Sequence, residues 1–283
     1  MGKTAGQTGA YLHHIAIESE NPENLAKFYS SAMDMKSKQL SNGCWTCVGA
    51  RRKLVISTGS NNKLSYAAFA CQNKASMEAL CSRVKLQGIN ILSSPSHYFH
   101  DDAFAISDPN GNLICFGVEE DSNAINANLH APLQHLTFAS LDVEMMVDFY
   151  VEKLGFSLSD RVLHENGDLA TAFMTSNHEH HTIACFKADY NGIDHHSYEA
   201  GDWMYIRDWC DHFATQDIQL IWGPGRHGPG NNLFIFIEDL DRNWIEISAE
   251  LEVFVDRPTL DWPQHPRTLN KWGRAIMLSL IHI

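Results

Sequence analysis

Two histidines and one glutamate, far apart in the chain, are the residues whose types most clearly suggest chemistry. His135, His195 and Glu246 each lie inside a short segment of the second half whose residues are typical of a β-strand. Two neutral imidazoles and one carboxylate that converge on one point form a facial metal triad. Such a set leaves three coordination positions open, which suits an iron(II) ion that must bind a substrate and O2 together. The sequence therefore predicts a metal site, provided that the fold brings the three residues together.

Two of these residues need a closer argument. His195 is followed by His196, and only one of them can face the metal because adjacent strand residues point to opposite sides of a sheet. Glu246 stands between two isoleucines, where a buried carboxylate without a partner is costly and a metal ion is a natural partner. The alternatives are ordinary core or surface histidines and a glutamate on the solvent face of an edge strand.

Length and composition narrow the class of protein. The 283 residues fit one large or two medium domains, and a hydrophobic content of 44% with 19% charged residues is typical of a soluble globular protein. A net charge of −13 argues against nucleic acid or an anionic membrane as partners. The start of the chain lacks the apolar core of a signal peptide, and no stretch approaches the roughly 18 apolar residues of a membrane-spanning helix.

The seven cysteines do not form a disulfide or zinc framework. Cys44 and Cys47 make a C-x-x-C pair, but no second pair stands at zinc-ribbon spacing, and the residues around them look strand-like. An odd number of cysteines without a secretory signal predicts reduced thiols and a cytoplasmic location.

The chain repeats itself. A strand at Tyr11–Ile17 leads into a helix that ends near Tyr29, and a strand at Leu133–Phe138 leads into a helix that ends near Tyr150, with a Phe before each tyrosine. Asn21 and Asp142 are the expected helix N-caps, Pro22 suits the first helical turn and Gly155 suits a C-terminal cap. A second helix in each half is predicted from apolar residues at i, i+3, i+4 and i+7: Met77, Leu80, Cys81 and Val84, and Ile206, Trp209, Cys210 and Phe213.

Each half also closes on a hairpin. Asp108 and Asn112 in the first hairpin hold the places of Asp239 and Asn243 in the second. Each half therefore contains two strand–helix–strands units, and the polar stretch near Glu119–Ala131 is typical of a linker. We predict an α+β fold of four βαβββ modules, paired into two domains at 1–125 and 126–283, with cupped, mixed and mostly antiparallel sheets and a C-terminal tail.

These residues resemble the vicinal oxygen chelate (glyoxalase-like) superfamily, and within it the two-domain extradiol ring-cleavage dioxygenases. The resemblance covers nearly the whole chain and is strongest over residues 133–250. Family members hold their iron on a His that opens the first C-terminal strand, a His two places before the Ser of an H-x-S-[FY] strand, and a Glu in the last strand. The resemblance therefore implies His135, His195 and Glu246 as ligands, and it selects His195 over His196.

The resemblance also implies two proton-handling histidines. His181 stands just before a strand and would lie toward the oxygen side and donate a proton, although it closes a polar His-rich cluster that could be only a loop. His227 ends the run Gly223–His227 and would hydrogen-bond a substrate hydroxyl. Imidazole titrates near neutral pH and can serve both steps.

One position departs from the family. Many members have a Tyr nine residues after the second of these histidines, and here the residue is Phe236, which is expected to contact the substrate but cannot donate a proton. Substrate activation must then depend on His227, the metal, or another tyrosine such as Tyr190 or Tyr198. The departure weakens the case for plain catechol as the substrate.

The first half lacks the full triad. His14 is in register with His135, but Tyr66 stands where His195 does and Cys115 stands where Glu246 does. We therefore predict a scaffold domain without a complete metal site. The tail, with Trp262, Trp272 and nearby prolines, is expected to fold over the pocket mouth or to join a subunit interface, and the last residues, 280–283, to be loose.

The resemblance implies an iron(II)-dependent extradiol dioxygenase that opens the ring of a catechol-type aromatic vicinal diol with both atoms of O2, in the degradation of aromatic compounds. Manganese(II) is the alternative metal, and a homo-oligomer is expected. The rival functions are a lyase, isomerase or hydrolase of the same fold that uses its metal as a Lewis acid, and a non-catalytic protein that binds an aromatic ligand. The substrate, the side of cleavage and the subunit number stay open.

Overall fold

The first half of the chain forms one β-sheet with three helices. The structure is a computed structural model that describes residues 3–120 and 128–276. The strands are β1 Tyr11–Ser19, β2 Lys36–Gln39, β3 Trp45–Gly49, β4 Arg52–Thr58, β5 Lys63–Ala70, β6 Leu92–Ser93, β7 Phe104–Ser107 and β8 Leu113–Gly117, and the helices are α1 Ala5–Thr8, α2 Pro22–Ala32 and α3 Lys74–Leu86. The strand order is β2-β3-β4-β1-β5-β8-β7-β6.

The second half repeats this plan. Its strands are β9 Leu133–Ser140, β10 Ser157–Leu163, β11 Leu169–Thr175, β12 Ile183–Lys187, β13 Gly192–Glu199, β14 Trp222–Arg226, β15 Leu233–Glu238, β16 Trp244–Ala249 and β17 Leu260–Pro263. Its helices are α4 Val143–Val147, which continues into a π-helical segment Asp148–Leu154, then α5 Trp203–Thr215, a 3-10 turn Pro229–Asn231 and α6 Pro266–Leu269. The strand order is β14-β15-β16-β13-β9-β12-β11-β10-β17.

Strand pairing confirms the internal repeat and the predicted fold class. The central strand β1 runs parallel to β4 and antiparallel to β5, and β9 runs parallel to β12 and antiparallel to β13 in the same way. Both sheets are mixed, and most of their strand pairs are antiparallel. The last strand of each repeat, β8 or β16, runs parallel to β5 or β13.

The predicted helix caps are present. The side chain of Asn21 accepts a hydrogen bond from the backbone N–H of Asn24, and Asp142 accepts one from Met145. Pro22 opens α2, and Gly155 ends the π-helical segment in the left-handed region at φ 80°. These local signals fix where each Phe-Tyr helix begins, and Gly155 fixes where the second one ends.

The two halves are joined by a reciprocal pair of buried hydrogen bonds that sequence reasoning missed. Tyr29 Oη donates to Asp239 Oδ2 at 2.9 Å, and Tyr150 Oη donates to Asp108 Oδ2 at 3.0 Å. Each aspartate also accepts a side-chain hydrogen bond from the asparagine that closes its own hairpin. The Phe-Tyr helix of each half is thus tied to the Asp/Asn turn of the other half.

This bridge gives stability a pH dependence. Burial raises the pKa of Asp239 to about 6, although Asn243 and Tyr29 donate hydrogen bonds to it, while an unfolded aspartate titrates near ~3.9. The folded protein therefore binds this proton more tightly, so the contribution of Asp239 to stability falls as pH rises from about 4 to about 6. In the native protein this loss amounts to about 2 kcal/mol of unfolding free energy between about pH 4 and about pH 6. We expect the Asp239→Asn protein not to show it.

The measurement is urea unfolding of both proteins at several pH values across that window. Asp101→Asn is the control, because Asp101 is an exposed residue of a surface turn and its replacement removes a carboxylate without touching the bridge. Parallel stability curves for the native and Asp239→Asn proteins would contradict the expectation.

The region between the halves is only partly described. The predicted boundary between residues 125 and 126 lies outside the described residues, as do the last residues, 280–283. Glu119, at the start of the predicted linker, is bonded to the first half, since its carboxylate lies 2.5 Å from the ammonium of Lys53 and 3.0 Å from His13 Nε2. Within residues 3–120 and 128–276, no helix has the length and apolar character needed to cross a membrane.

Candidate active site

His135, His195 and Glu246 come together on adjacent strands of the second sheet. Ser197 of β13 stands opposite His135 of β9 on one side and Glu246 of β16 on the other. His135 Nε2 lies 3.1 Å from Glu246 Oε2, His195 Nε2 lies 3.6 Å from the same oxygen, and the two Nε2 atoms are 3.3 Å apart. Donors about 2.0–2.2 Å from one ion at right angles are separated by about 3 Å. The three atoms therefore have the spacing of ligands that share a metal ion.

Neighbouring side chains set which nitrogen of each imidazole faces this point. His135 Nδ1–H donates to Gln134 Oε1 at 2.5 Å, and His195 Nδ1–H donates to the carboxylate of Asp194. Both Nε2 lone pairs are left to face the centre, as in histidines that bind a metal. A set of two such nitrogens and one carboxylate with an open side suits non-haem iron(II), so the residues present fit that metal.

The glutamate is buried and oriented by a residue that sequence reasoning missed. Glu246 is 1% exposed, and Asn232 Nδ2 donates to its Oε1 at 3.3 Å. Burial alone would raise the pKa of Glu246, but the interactions of the carboxylate with His135, His227 and His195 outweigh it and hold the pKa well below its usual range. Burial lowers the pKa of His135. Both groups therefore favour the deprotonated forms that bind metals.

His195 differs from His135 in its electrostatics. Burial lowers its pKa, but the hydrogen bond and charge of Asp194 outweigh burial and raise the pKa above its ordinary value. A metal ion would take the place of the proton that Asp194 stabilises on this imidazole. His196 lies on the opposite face of β13, where its Nε2 is 3.1 Å from Tyr29 Oη.

His227 lies beside the triad with one nitrogen free for chemistry. Its Nδ1–H donates to the carbonyl of Leu269 at 2.5 Å, and its ring stacks on Phe234 with the centroids 4.0 Å apart. Its Nε2 is 3.5 Å from Glu246 Oε1 and lines the same cavity as the triad. Because Nδ1 carries the proton in this arrangement, Nε2 presents a lone pair to the cavity.

His181 packs against His135 with its ring tilted and is the end of a buried chain of side chains. The His181 and His135 ring centroids are 4.2 Å apart, and His181 Nδ1 lies 3.0 Å from His180 Nδ1. His180 Nε2 lies 3.2 Å from Asp160 Oδ2, and all three members of the chain are buried. The negative charge of Asp160 favours a proton on His180 Nε2, the nitrogen nearest to it, and His180 Nδ1 then accepts the proton of His181 Nδ1. His181 Nε2 is then the nitrogen available to the cavity.

Two other residues hold the carboxylate at the end of this chain. Trp262 Nε1–H donates to Asp160 Oδ2 at 2.7 Å, and Arg257 lies 3.0 Å from Oδ1. Burial alone would raise the pKa of Asp160, but His180, Trp262 and Arg257 outweigh it and lower the pKa. The signal in the sequence was the paired histidines at 180 and 181, which looked like part of a polar loop.

Phe236 is part of an aromatic wall of the cavity. Its ring stacks on Trp222 at 5.3 Å between centroids and meets His195 edge-on at 5.2 Å. Tyr198, one of the two tyrosines considered as a substitute for the missing hydroxyl, is fully buried against His196 on the other face of β13. The other, Tyr190, is not among the residues that line the cavity.

The first half does not repeat this site. Ala68 is the counterpart of Ser197, because strand register places it opposite both His14 and Cys115. Tyr66 lies two positions before Ala68, as His195 lies two positions before Ser197, so the predicted equivalences hold. Over the described ranges, His135, His195 and Glu246 form the one group of three or more metal-ligating side chains close enough to hold an ion. Part of the tail, including Leu269 and Ile276, lines the cavity in the second half.

Comparison with known proteins decides the family. The profile of the Glyoxalase/Bleomycin resistance protein/Dioxygenase superfamily matches residues 11–116 and 133–247, which correspond to the two repeats. This chain belongs to that superfamily. The superfamily and the two-domain fold predicted from the sequence are thereby confirmed.

Individual members of the superfamily resemble the chain over most of its length. Metapyrocatechase 2 of Cupriavidus necator is 24% identical over 217 residues, which is 69% of this chain and 66% of that protein. The chain thus spans slightly less than two thirds of the length of that relative.

Solved structures share the fold at low identity. Homoprotocatechuate 2,3-dioxygenase from Arthrobacter globiformis superposes with a TM-score of 0.82 at 20% identity, covering 95% of this chain and 89% of that one. The 2,3-dioxygenase LapB from Pseudomonas sp. KL28 gives 0.79 at 19% identity, covering 90% and 98%. Homoprotocatechuate 2,3-dioxygenase from Brevibacterium fuscum, in complex with 3,4-dihydroxyphenylacetate, gives 0.81 at 19% identity, covering 95% and 90%. At these identities the likeness shows the fold.

Proposed function

We propose that this protein is an extradiol ring-cleavage dioxygenase that uses iron(II) and O2 to open the ring of a catechol-type aromatic vicinal diol. The observation that carries the proposal is the convergence of His135, His195 and Glu246 at one point of a cavity that also contains His181 and His227. The names of the relatives, a metapyrocatechase and several 2,3-dioxygenases, support the same activity.

His135 Nε2, His195 Nε2 and Glu246 Oε2 would hold the metal, with iron(II) favoured over manganese(II). When bound, iron(II) supplies open coordination positions at which a diol and O2 can meet. Gln134 and Asp194 keep the two imidazoles turned toward the metal, and Asn232 does the same for the carboxylate. These contacts fix the geometry before any substrate enters.

His227 is placed to take a proton from the substrate. Its Nε2 lone pair faces the cavity beside Glu246, while its Nδ1–H is anchored on the carbonyl of Leu269. A catechol hydroxyl within hydrogen-bond reach of Nε2 can transfer its proton there. Phe236 and Trp222 contribute an aromatic wall that packs against the ring and excludes water, without a hydroxyl of their own.

His181 handles a proton at a second position. Burial and the nearby His135 lower its pKa well below the ordinary value, so the ring is neutral at physiological pH. Its Nδ1 lies within hydrogen-bond distance of His180 Nδ1, and the charge of Asp160 beside His180 Nε2 favours donation from His181 to His180. The nitrogen that remains, Nε2, can accept and return a proton without rotation of the ring.

Asp160→Asn tests this chain. An amide NH2 directed at His180 Nε2 would reverse the tautomers, so that His181 carries its proton on the cavity side instead. We expect kcat to fall roughly 10- to 100-fold, less than the full 10²–10⁴-fold contribution of general acid–base catalysis, with the iron content unchanged. Trp262→Phe removes another partner of the carboxylate and is the matched control. An equal loss of kcat in the control would assign the effect to packing.

One assay tests the proposed function. Protein purified without oxygen and loaded with iron(II) should turn a panel of catechols yellow and consume one O2 per ring. No O2 uptake with small, biphenyl-type and polycyclic catechols would contradict the proposal. Turnover without O2 in protein loaded with zinc, manganese or nickel would favour a Lewis-acid enzyme of the same fold, and tight binding without turnover would favour a binding protein.

The seven cysteines are all free thiols, and burial raises the pKa of Cys47, Cys115 and Cys185 to about 12. Thiols in this form are unreactive and stay reduced in a reducing compartment. The cytoplasmic location that we propose, for an enzyme of aromatic-compound degradation, rests on the odd number of cysteines and the lack of a disulfide among them.

A further inference from the structure

The cavity above the triad is larger than a single aromatic ring requires. Its volume is about 370 Å³. An apolar protein cavity of about 150 Å³ is already able to hold benzene. More than half of the space therefore remains for a substituent on the ring or for a second ring.

The spare space lies over one apolar stretch of the sheet. Strand register puts Ala184 of β12 and Phe173 of β11 in the same cross-strand row as Thr137 and His195. Because neighbouring strands are about 4.8 Å apart, Ala184 lies two strands, about 10 Å, from His195 and one strand from β9, which carries His135. Because the side chain of Ala184 is only a methyl group, it leaves room for a substituent above this part of the sheet. The apolar residues that surround it in the lining are Val162, Ala170, Phe173 and Phe186.

The charges around the cavity disfavour an anionic substituent. Among the described lining residues the only lysine or arginine is Lys187, which is exposed and donates to the carbonyl of Leu141. The lining carboxylates are Glu246, at the triad, and Asp194, which is bonded to His195. The remaining polar groups away from the triad include His164 and Gln264 toward the rim. A carboxylate buried over the apolar floor would lose its hydration without gaining a paired cation.

We infer that the substrate is a catechol with a neutral, apolar substituent, an aryl or alkyl group that lies over Ala184. This inference rests on the proposed dioxygenase function and adds the class of substrate. It distinguishes the protein from its structural relative from Brevibacterium fuscum, whose complex contains the acid 3,4-dihydroxyphenylacetate.

The first test compares substrates on the native, iron-loaded protein. The kcat/KM for 3-phenylcatechol and for 4-ethylcatechol should exceed that for 3,4-dihydroxyphenylacetate by at least about 100-fold, because the acid would bury an unpaired charge. Equal or faster cleavage of the acid would overturn the inference. Loss of that activity in Lys187→Met would then identify Lys187 as the anchor of the carboxylate.

The second test places a larger side chain at Ala184, where the substituent is inferred to lie. Ala184→Leu should lower kcat/KM for 3-phenylcatechol at least about tenfold more than for unsubstituted catechol, since even one extra methylene in a fitted pocket costs roughly 10- to 200-fold. Equal losses for both substrates would show that Ala184 does not face the substituent. Thermal unfolding of the variant separates this result from a loss of folding.

The third test does not depend on catalysis. Neither biphenyl nor phenylacetate carries the diol, so their binding does not require the metal. Calorimetry on the metal-free protein should detect binding of biphenyl and no binding of phenylacetate, because phenylacetate would bury an unpaired charge. Binding of biphenyl by a protein that cleaves no catechol would leave the apolar selectivity standing and remove the dioxygenase function. Binding of phenylacetate as tight as that of biphenyl would overturn the inference while leaving ring cleavage intact.

Discussion

Replacement of Glu246 by alanine is expected to abolish metal retention and ring cleavage together. Its Oε2 lies 3.1 Å from His135 Nε2 and 3.6 Å from His195 Nε2, so the carboxylate is the one negatively charged member of the three-atom face. Without it, two neutral imidazoles must hold a dication in a buried site. We expect a loss of activity greater than the roughly 10- to 100-fold that follows removal of an outer-shell partner, with little iron left after gel filtration.

Metal content per chain and O2 uptake with a catechol are the two measurements for this variant. Glu238→Ala is the matched control, because Glu238 lies at the end of the neighbouring strand β15 and faces Arg242 instead of the cavity. The control should keep native iron content and activity. A Glu246→Ala protein that binds one iron per chain and cleaves catechols at the native rate would remove Glu246 from the metal site.

The sequence predicted the members of this site because each one stands in a recognisable local pattern. Alternation along a strand allowed only one of His195 and His196 to be a ligand, and the family resemblance selected His195. The structure places the two imidazoles on opposite faces of β13. The helix caps at Asn21 and Asp142 likewise depend only on nearby residues. Whether the converging residues bind iron stays a prediction.

The contacts that orient the site could not be predicted in the same way. β13 shifts its register against β9 between Ile193 and His195 and again between Ser197 and Tyr198. A shift of one residue exchanges the two faces of a strand, so the cross-strand neighbours cannot be derived from alternation alone. The pairing of Asp160 with His180 joins a residue of β10 to one in the loop between β11 and β12, 20 positions away.

The reciprocal bridges between the halves show a second limit. Tyr29 and Asp239 are separated by 210 positions, and each one was recognised as part of the repeat without its partner. The repeat predicted that Tyr29 and Tyr150 are equivalent, but not that each tyrosine reaches the hairpin of the other half. That contact depends on how the halves pack, which local patterns do not encode.

Replacement of His227 by phenylalanine is expected to lower kcat/KM for the best catechol by about 10²–10⁴-fold, the range for loss of a general base. Phenylalanine preserves the stacking on Phe234 but removes the Nε2 lone pair that faces the cavity 3.5 Å from Glu246 Oε1. Iron content should stay at the native level, because His227 is not one of the three converging ligands.

A second variant separates proton transfer from positioning of the substrate. His227→Gln keeps a side chain that forms hydrogen bonds but cannot take up a proton near neutral pH, so it should restore KM more than kcat. Recovery of native kcat in this variant would show that His227 only positions the diol. His164→Phe is the matched control, because His164 lines the same cavity at its exposed rim and should be replaceable with less than about a threefold change in kcat/KM.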